Sequence, residues 1–129
     1  MRPQPLIAVH DVATSSRWYQ RLLGCESGHG GSEYERLILN DVLILQLHRF
    51  DVVHHHGPIG DPAKKPYGNG ILLWFETDDF EAAMDRANEM GAQIYLPRHR
   101  NPNAKHWECW FRDPDGYIVV LASPDGTAM

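Results

Sequence analysis

Apolar and polar positions along the chain fall into a sequence of strands and helices that runs twice. Residues 5–12, "PLIAVHDV", form an aliphatic, β-branched run bounded by Pro5 and Asp11, which predicts a strand. Residues 13–24, "ATSSRWYQRLLG", predict a helix. Val12, Ser15, Trp18/Tyr19 and Leu22 recur near the helical period, Thr14 or Ser15 can cap the start, and Gly24 suits the left-handed position after the end. A glycine-rich loop opens residues 25–39, "CESGHGGSEYERLIL", which end in a strand. Asn40-Asp41 marks a turn without the usual glycine, and "VLILQLHRF" (42–50) is the next strand. Residues 51–69 hold three prolines and three glycines and predict a long loop.

The order then recurs. "GILLWFETDD" (70–79) predicts a strand, "DFEAAMDRANEMG" (79–91) a helix, "AQIYLP" (92–97) a short strand, and "RHRNPNAK" (98–105) a loop. The hairpin "HWECWFRDPDGYIVVLA" (106–122) turns at Asp113-Pro114-Asp115-Gly116. Asp11 to Gly24 and Asp78 to Gly91 each span thirteen residues, which points to an internal duplication. The expected fold is α+β, one domain over 1–129. It comprises two βαβββ units, about 4–50 and 69–123, whose curved mixed sheets form a cup with the helices outside.

Composition narrows the function classes. The formal net charge is −5 and no Lys/Arg run is present, so neither nucleic acid nor an anionic membrane is an expected partner. Cys25 and Cys109 lack metal or redox spacing and read as reduced thiols of a cytoplasmic protein. The opening "MRPQPLIAVHDV" is too short in apolar residues for a signal peptide, and no run approaches a membrane span. GxSxG, P-loop and strand-following GxGxxG motifs are absent. The oddity is eight histidines, three of them contiguous at His54–His56.

"HDVATSSRWYQRLLG", "FETDDFEAAMDRANEMGAQI" and "ECWFRDPDGYIVVLA" resemble the vicinal oxygen chelate superfamily, which includes glyoxalase I, bleomycin-resistance proteins and extradiol dioxygenases. The resemblance covers nearly the whole chain and implies the fold more than the reaction. Metal-dependent members hold a cation with His, Gln or Glu from the first and last strands of each unit. Projected here, those positions are Gln4, Gln46, Gly70 or Leu72, and Val120. Two of the four cannot ligate through a side chain, and two amides would hold a divalent cation weakly, so no cofactor is the first expectation. The resemblance also implies a homodimer. In the bleomycin-resistance branch a glutamate often stands five residues before the hairpin Asp, behind a Trp; here that is Glu108, after Trp107.

The expected ligand-binding residues are Gln46, His48, Trp74, His106, Glu108 and Trp110, an aromatic wall with a few polar groups. Gln46 and His48 share one strand face; His106, Glu108, Trp110 and Arg112 share another. Trp107 and Trp110 should point to opposite faces. On the plainer reading, His106 and Glu108 pair with Arg112 or Lys105 on an outer face, His10 is structural, and His29 and His99 are exposed in loops. Trp18 and Tyr19 then belong to a core or interface, and Asp113 and Asp115 only shape the turn.

Three functions remain. The first is a small-molecule-binding protein of the bleomycin-resistance type, taking an aromatic or cationic ligand without chemistry. The second is a metal-dependent lyase, isomerase or dioxygenase using Zn, Ni, Mn or Fe on a relocated set (Gln4 or Gln46, His48, Glu108, and either one of His54–His56, such as His56, or His106), with His48 or Glu108 moving a proton. The third is an interaction module that keeps only the fold.

Overall fold

The computed structural model describes residues 1–50 and 59–128, and the chain divides into two compact units, 1–65 and 66–129. The expected loop histidines His54, His55 and His56 lie outside the described residues.

In the first unit, strand β1 (Leu6–Val9) leads into helix α1 (Val12–Leu23), followed by β2 (Glu26–Ser27), β3 (Tyr34–Leu39) and β4 (Val42–Arg49). The helix starts one residue before the expected position, and its cap is Asp11 and not Thr14 or Ser15, because the Asp11 carboxylate accepts from Thr14 N at 3.0 Å. It stops at Gly24, whose φ of 69° is the left-handed geometry and whose N–H closes onto Gln20 O. Its buried side is Val12, Ser15, Ser16, Tyr19, Leu22 and Leu23; of the two adjacent aromatics Tyr19 is fully buried and Trp18 half-buried against it, their rings 4.9 Å apart. Asn40 and Asp41, with φ of 50° and 65°, form the two-residue turn between β3 and β4, where Leu39 pairs with Val42. Asn and Asp tolerate this region better than most side chains, which explains a tight hairpin without glycine.

In the second unit, β5 (Leu72–Glu76) precedes helix α2 (Phe80–Glu89), then β6 (Ile94–Asn101), β7 (His106–Arg112) and β8 (Ile118–Ala122). The helix cap is Asp79, which accepts from Ala82 N, and not Asp78; the helix ends at Met90 with Gly91 beyond it. The thirteen-residue repeat therefore marks equivalent regions but is offset by one at the helix start. A second difference concerns residues 98–101. They are strand, not loop, because β6 continues to Asn101.

The two units share one topology. Their sheets run β1-β4-β3-β2 and β5-β8-β7-β6, parallel between the first pair and antiparallel thereafter. Each helix covers one face of its own sheet. Leu37, Leu45 and Leu47 lie buried on the α1 side, and Leu73, Cys109, Phe111, Val119 and Leu121 on the α2 side with Phe80, Ala83, Met84 and Ala87. The "RDPDG" turn is closed by Asp113, whose Oδ1 accepts from Asp115 N at 2.8 Å and Tyr117 N at 2.9 Å. That is the turn-shaping role expected of it. Both cysteines are free and buried, and burial pushes the Cys109 thiol up, which suits a packing residue better than a nucleophile. Among the described residues no helix is long and apolar enough to cross a membrane.

Candidate functional site

The face of the second sheet opposite α2 gathers most of the expected site residues. Cross-strand register defines its rows. Trp74, Val120, Trp110 and Leu96 form one; Ala122, Glu108 and His99 form the next, with Glu76 at its β5 end. Alternation carries Trp110, Glu108 and His106 of β7 onto this face, and Trp107 and Cys109 onto the helix side. Trp107 is held there by Arg98, whose guanidinium lies 5.0 Å from its ring and 5.0 Å from that of Phe80. Trp107 and Trp110 thus point to opposite sides, as the spacing predicts.

Glu108 is the hub. It is 3% exposed, and each carboxylate oxygen faces two donors. Oε1 lies 2.8 Å from His99 Nε2 and 3.0 Å from Trp110 Nε1; Oε2 lies 2.6 Å from His106 Nε2 and 3.3 Å from Asn101 Nδ2. Burial would push the Glu108 carboxyl up, but the hydrogen bonds from His106, Trp110, Asn101 and His99 outweigh it and hold it below the ordinary range. His106 has a carboxylate at each ring nitrogen, Glu108 at Nε2 and Asp125 at Nδ1 (3.2 Å). Its burial favours the neutral ring, yet the two carboxylates prevail and raise its pKa. The Trp74 ring sits 5.8 Å from the His106 ring, and Tyr95 lies 6.3 Å from Trp110.

Two expectations are corrected here. His106 and Glu108 do not pair with Arg112 or Lys105; they pair with each other. His99 is not a loop residue on the surface but a half-buried partner of Glu108 on β6. It arrives there because β6 slips register twice against β7, between Ile94 and Leu96 and between Leu96 and His99. Such irregularities re-aim side chains, so simple alternation along "IYLPRHRN" could not place His99.

On the first sheet, the face opposite α1 carries Ala8, His48 and Tyr34 in one row and Leu6, Gln46 and Arg36 in the next. Gln46 and His48 share a face as expected. Both are engaged. Gln46 donates from Nε2 to the Gln4 carbonyl at 2.9 Å and accepts from the Tyr34 hydroxyl. His48 is buried, with Nδ1 2.8 Å from Arg49 O and its ring 6.4 Å from Tyr34. His10 is exposed with its ring 5.1 Å from that of Phe50, and His29 is exposed with Nδ1 at the Gly30 carbonyl.

Glu35 escaped sequence reasoning. Only 2% exposed, on the helix side of β3, it accepts from Ser16 Oγ (2.8 Å), Ser27 Oγ (2.7 Å), His29 N (3.1 Å), Gly30 N (2.9 Å) and Arg36 N (2.8 Å). Burial raises its pKa, and the four hydrogen-bonding groups Ser27, Gly30, Ser16 and Arg36 overcome this and bring it down to about 2. With all its acceptor positions turned toward the loop and α1, Glu35 is an internal anchor. The signal was present in the small and flexible "SGHGGS" segment, which frees backbone N–H groups that an acid nearby can collect.

The donor set does not suit the cation of the metal-dependent relatives. Gln4 precedes β1 and meets Gln46 through its carbonyl; Leu72 and the fully buried Val120 have no donor atom; Gly70 has no side chain. Of the relocated set, Gln4, Gln46 and His48 belong to the first unit and His106 and Glu108 to the second, while His56 lies outside the described residues. Among the described residues no group of three or more His, Cys, Asp or Glu is arranged to hold a metal ion.

Comparison with known proteins puts this geometry in a family. Residues 3–121 match the model of the Glyoxalase/Bleomycin resistance protein/Dioxygenase superfamily. No curated protein matches the sequence significantly. Among solved structures, TioX from Micromonospora sp. ML1 is similar with a TM-score of 0.74 and 16% identity, covering 95% of this chain and 98% of that one. The fosfomycin resistance protein FosX from Mesorhizobium loti has a TM-score of 0.67 and 15% identity over 98% and 94% of the two chains. Lactoylglutathione lyase from Agrobacterium tumefaciens has 0.70 and 16% over 95% and 92%. At such identities the likeness is one of fold.

Proposed function

The chain belongs to the glyoxalase/bleomycin resistance protein/dioxygenase superfamily, and on that premise we propose that it is a small-molecule-binding protein whose ligand lies on the helix-free face of the second sheet. One observation carries the reading. The residues that would hold a cation are replaced by amides, a leucine and a buried valine, while the neighbouring positions present Trp74, 43% exposed, with Trp110 and Leu96 in the same row. Flat apolar surface beside fixed polar groups suits an unsaturated ring system. Glu108 is a positioning residue in this reading. Its four donors leave it no proton to take, and it fixes the Trp110 indole through Nε1.

The test is a pair of titrations on untagged protein. Tryptophan emission is followed against a library of aromatic ligands, and melting temperature against Zn²⁺, Ni²⁺, Mn²⁺ and Fe²⁺. Expected are saturable quenching, lost in Trp74→Ala, and no metal-dependent stabilisation. A cation at 100 times its Kd would stabilise the fold by about 2.7 kcal/mol. A shift of that size, or near-stoichiometric metal in the purified protein, would replace this reading with the metal-dependent enzyme. The proposal includes a homodimer, for which light scattering should return twice the 14.7 kDa chain mass.

A further inference from the structure

We infer that Arg112 is the anion anchor of this face, and that the ligand is a planar unsaturated acid whose carboxylate seats on its guanidinium. The inference rests on the reading of the face as the binding surface and adds the ligand's charge to it.

Arg112 ends β7, two residues after Trp110, and pairs with Ile118, which pairs in turn with Leu72. It therefore shares the face of Trp110, in a row otherwise apolar. Its Cζ lies 4.6 Å from the centre of the Tyr95 ring, and that ring lies 6.3 Å from Trp110. A guanidinium stacked on a ring uses its flat side and leaves its in-plane N–H groups pointing outward, the fork that matches a carboxylate. Among the described residues no carboxylate forms an ion pair with Arg112. Glu108 and Asp113, the acids four residues before it and next to it in the chain, have other engagements. Glu108 is ringed by four donors, and the Asp113 carboxylate serves the amides of Asp115 and Tyr117. Glu76 lies two rows further along the sheet and two strands across it, roughly 16 Å away at strand spacing.

The chain's net charge of −5 would by itself suggest a cationic ligand. Screening over about 8–10 Å makes the nearest unengaged charge decisive instead, and beside Trp110 that charge is positive. An aromatic ring across Trp110 then places its acid group toward Arg112.

Three probes of one shape decide the matter: 2-naphthoate, the neutral 2-naphthamide and the cationic 2-naphthamidine. Ligand-detected NMR and tryptophan emission give each Kd for the wild type, Arg112→Gln and Arg112→Lys, with the amide spectrum checking each fold. The wild type should bind naphthoate about tenfold more tightly than naphthamide, the scale of a charge-assisted pair. Arg112→Gln should bring the two within about twofold, and Arg112→Lys, which keeps the charge without the fork, should fall between. If Arg112→Gln does not fold, the lysine variant alone carries the comparison. Equal binding of all three probes would leave the face a binding surface and overturn the anchor, as would a naphthoate preference that survives in both variants. Failure of every probe to bind at millimolar concentration would remove the face itself and the anchor with it.

Discussion

Replacing Glu35 with Gln tests whether a buried carboxylate without a cationic partner holds the first unit together. In the folded chain its pKa falls from 4.5 to about 2. A tenfold change in proton affinity is worth about 1.36 kcal/mol, so the ionised form contributes up to about 3 kcal/mol. The sign follows from the depressed value. The contribution is complete above the unfolded pKa and is lost as pH falls through the folded one, between about pH 5 and pH 2. Roughly 2 kcal/mol of it should be gone by pH 3. Glutamine keeps one acceptor oxygen, but turns an amide nitrogen toward the Ser16 and Ser27 hydroxyls or toward the loop amides of His29 and Gly30. Glu35→Gln should therefore lose about 1–3 kcal/mol at pH 7 and depend less on acid than the wild type. Urea unfolding at pH 7, 5 and 3, followed by circular dichroism, measures both. Parallel pH dependences for variant and wild type would refute the argument, because the titrating group would then lie elsewhere.

Glu108→Gln removes the charge facing His106 and His99 and should cost about 2–3 kcal/mol; histidine NMR should show the His106 pKa falling toward its ordinary value. An unchanged His106 titration would mean that Asp125 alone holds the proton. Because the His106 pKa is raised, its contribution is full below the ordinary histidine value and is lost as pH rises through the folded value; His106→Gln should flatten the stability profile across that window, seen in melts from pH 5 to 9. Asp41→Gly places glycine at a φ of 65° and should raise stability by about 0.5–1 kcal/mol, read as a higher urea midpoint.

Much of the fold was legible because its determinants are local. Gly24 ends α1 through a bond made within one turn of the chain, whereas the start fell to Asp11 and not to Thr14 or Ser15, since all three residue types are able to cap. The Asp113 carboxylate closes its hairpin within four residues, and Asn40-Asp41 needs only a backbone preference. Strand alternation sorted Trp107 from Trp110 and put Gln46 beside His48, since the pleat has a period of two wherever a strand is regular. The second helix begins behind Asp79, where the segment 79–91 places it; only the repeat counted from Asp78 is offset by one, because both members of Asp78-Asp79 are chemically able to cap.

The sequence by itself determined the two βαβββ units, their helices and turns, and which β7 side chains share a face. Only the tertiary structure decided what those side chains meet. His99 reaches Glu108 because β6 slips register against β7, and Glu35 is enclosed because the loop after β2 folds its amides onto it. Arg112 forms no ion pair with a described carboxylate, the Glu108 and Asp113 carboxylates being claimed by other donors. The physical reason is common to all three. A cap or a turn is settled by neighbours in the chain, whereas the partner of a buried charge is settled by strands that meet only once the sheet has formed.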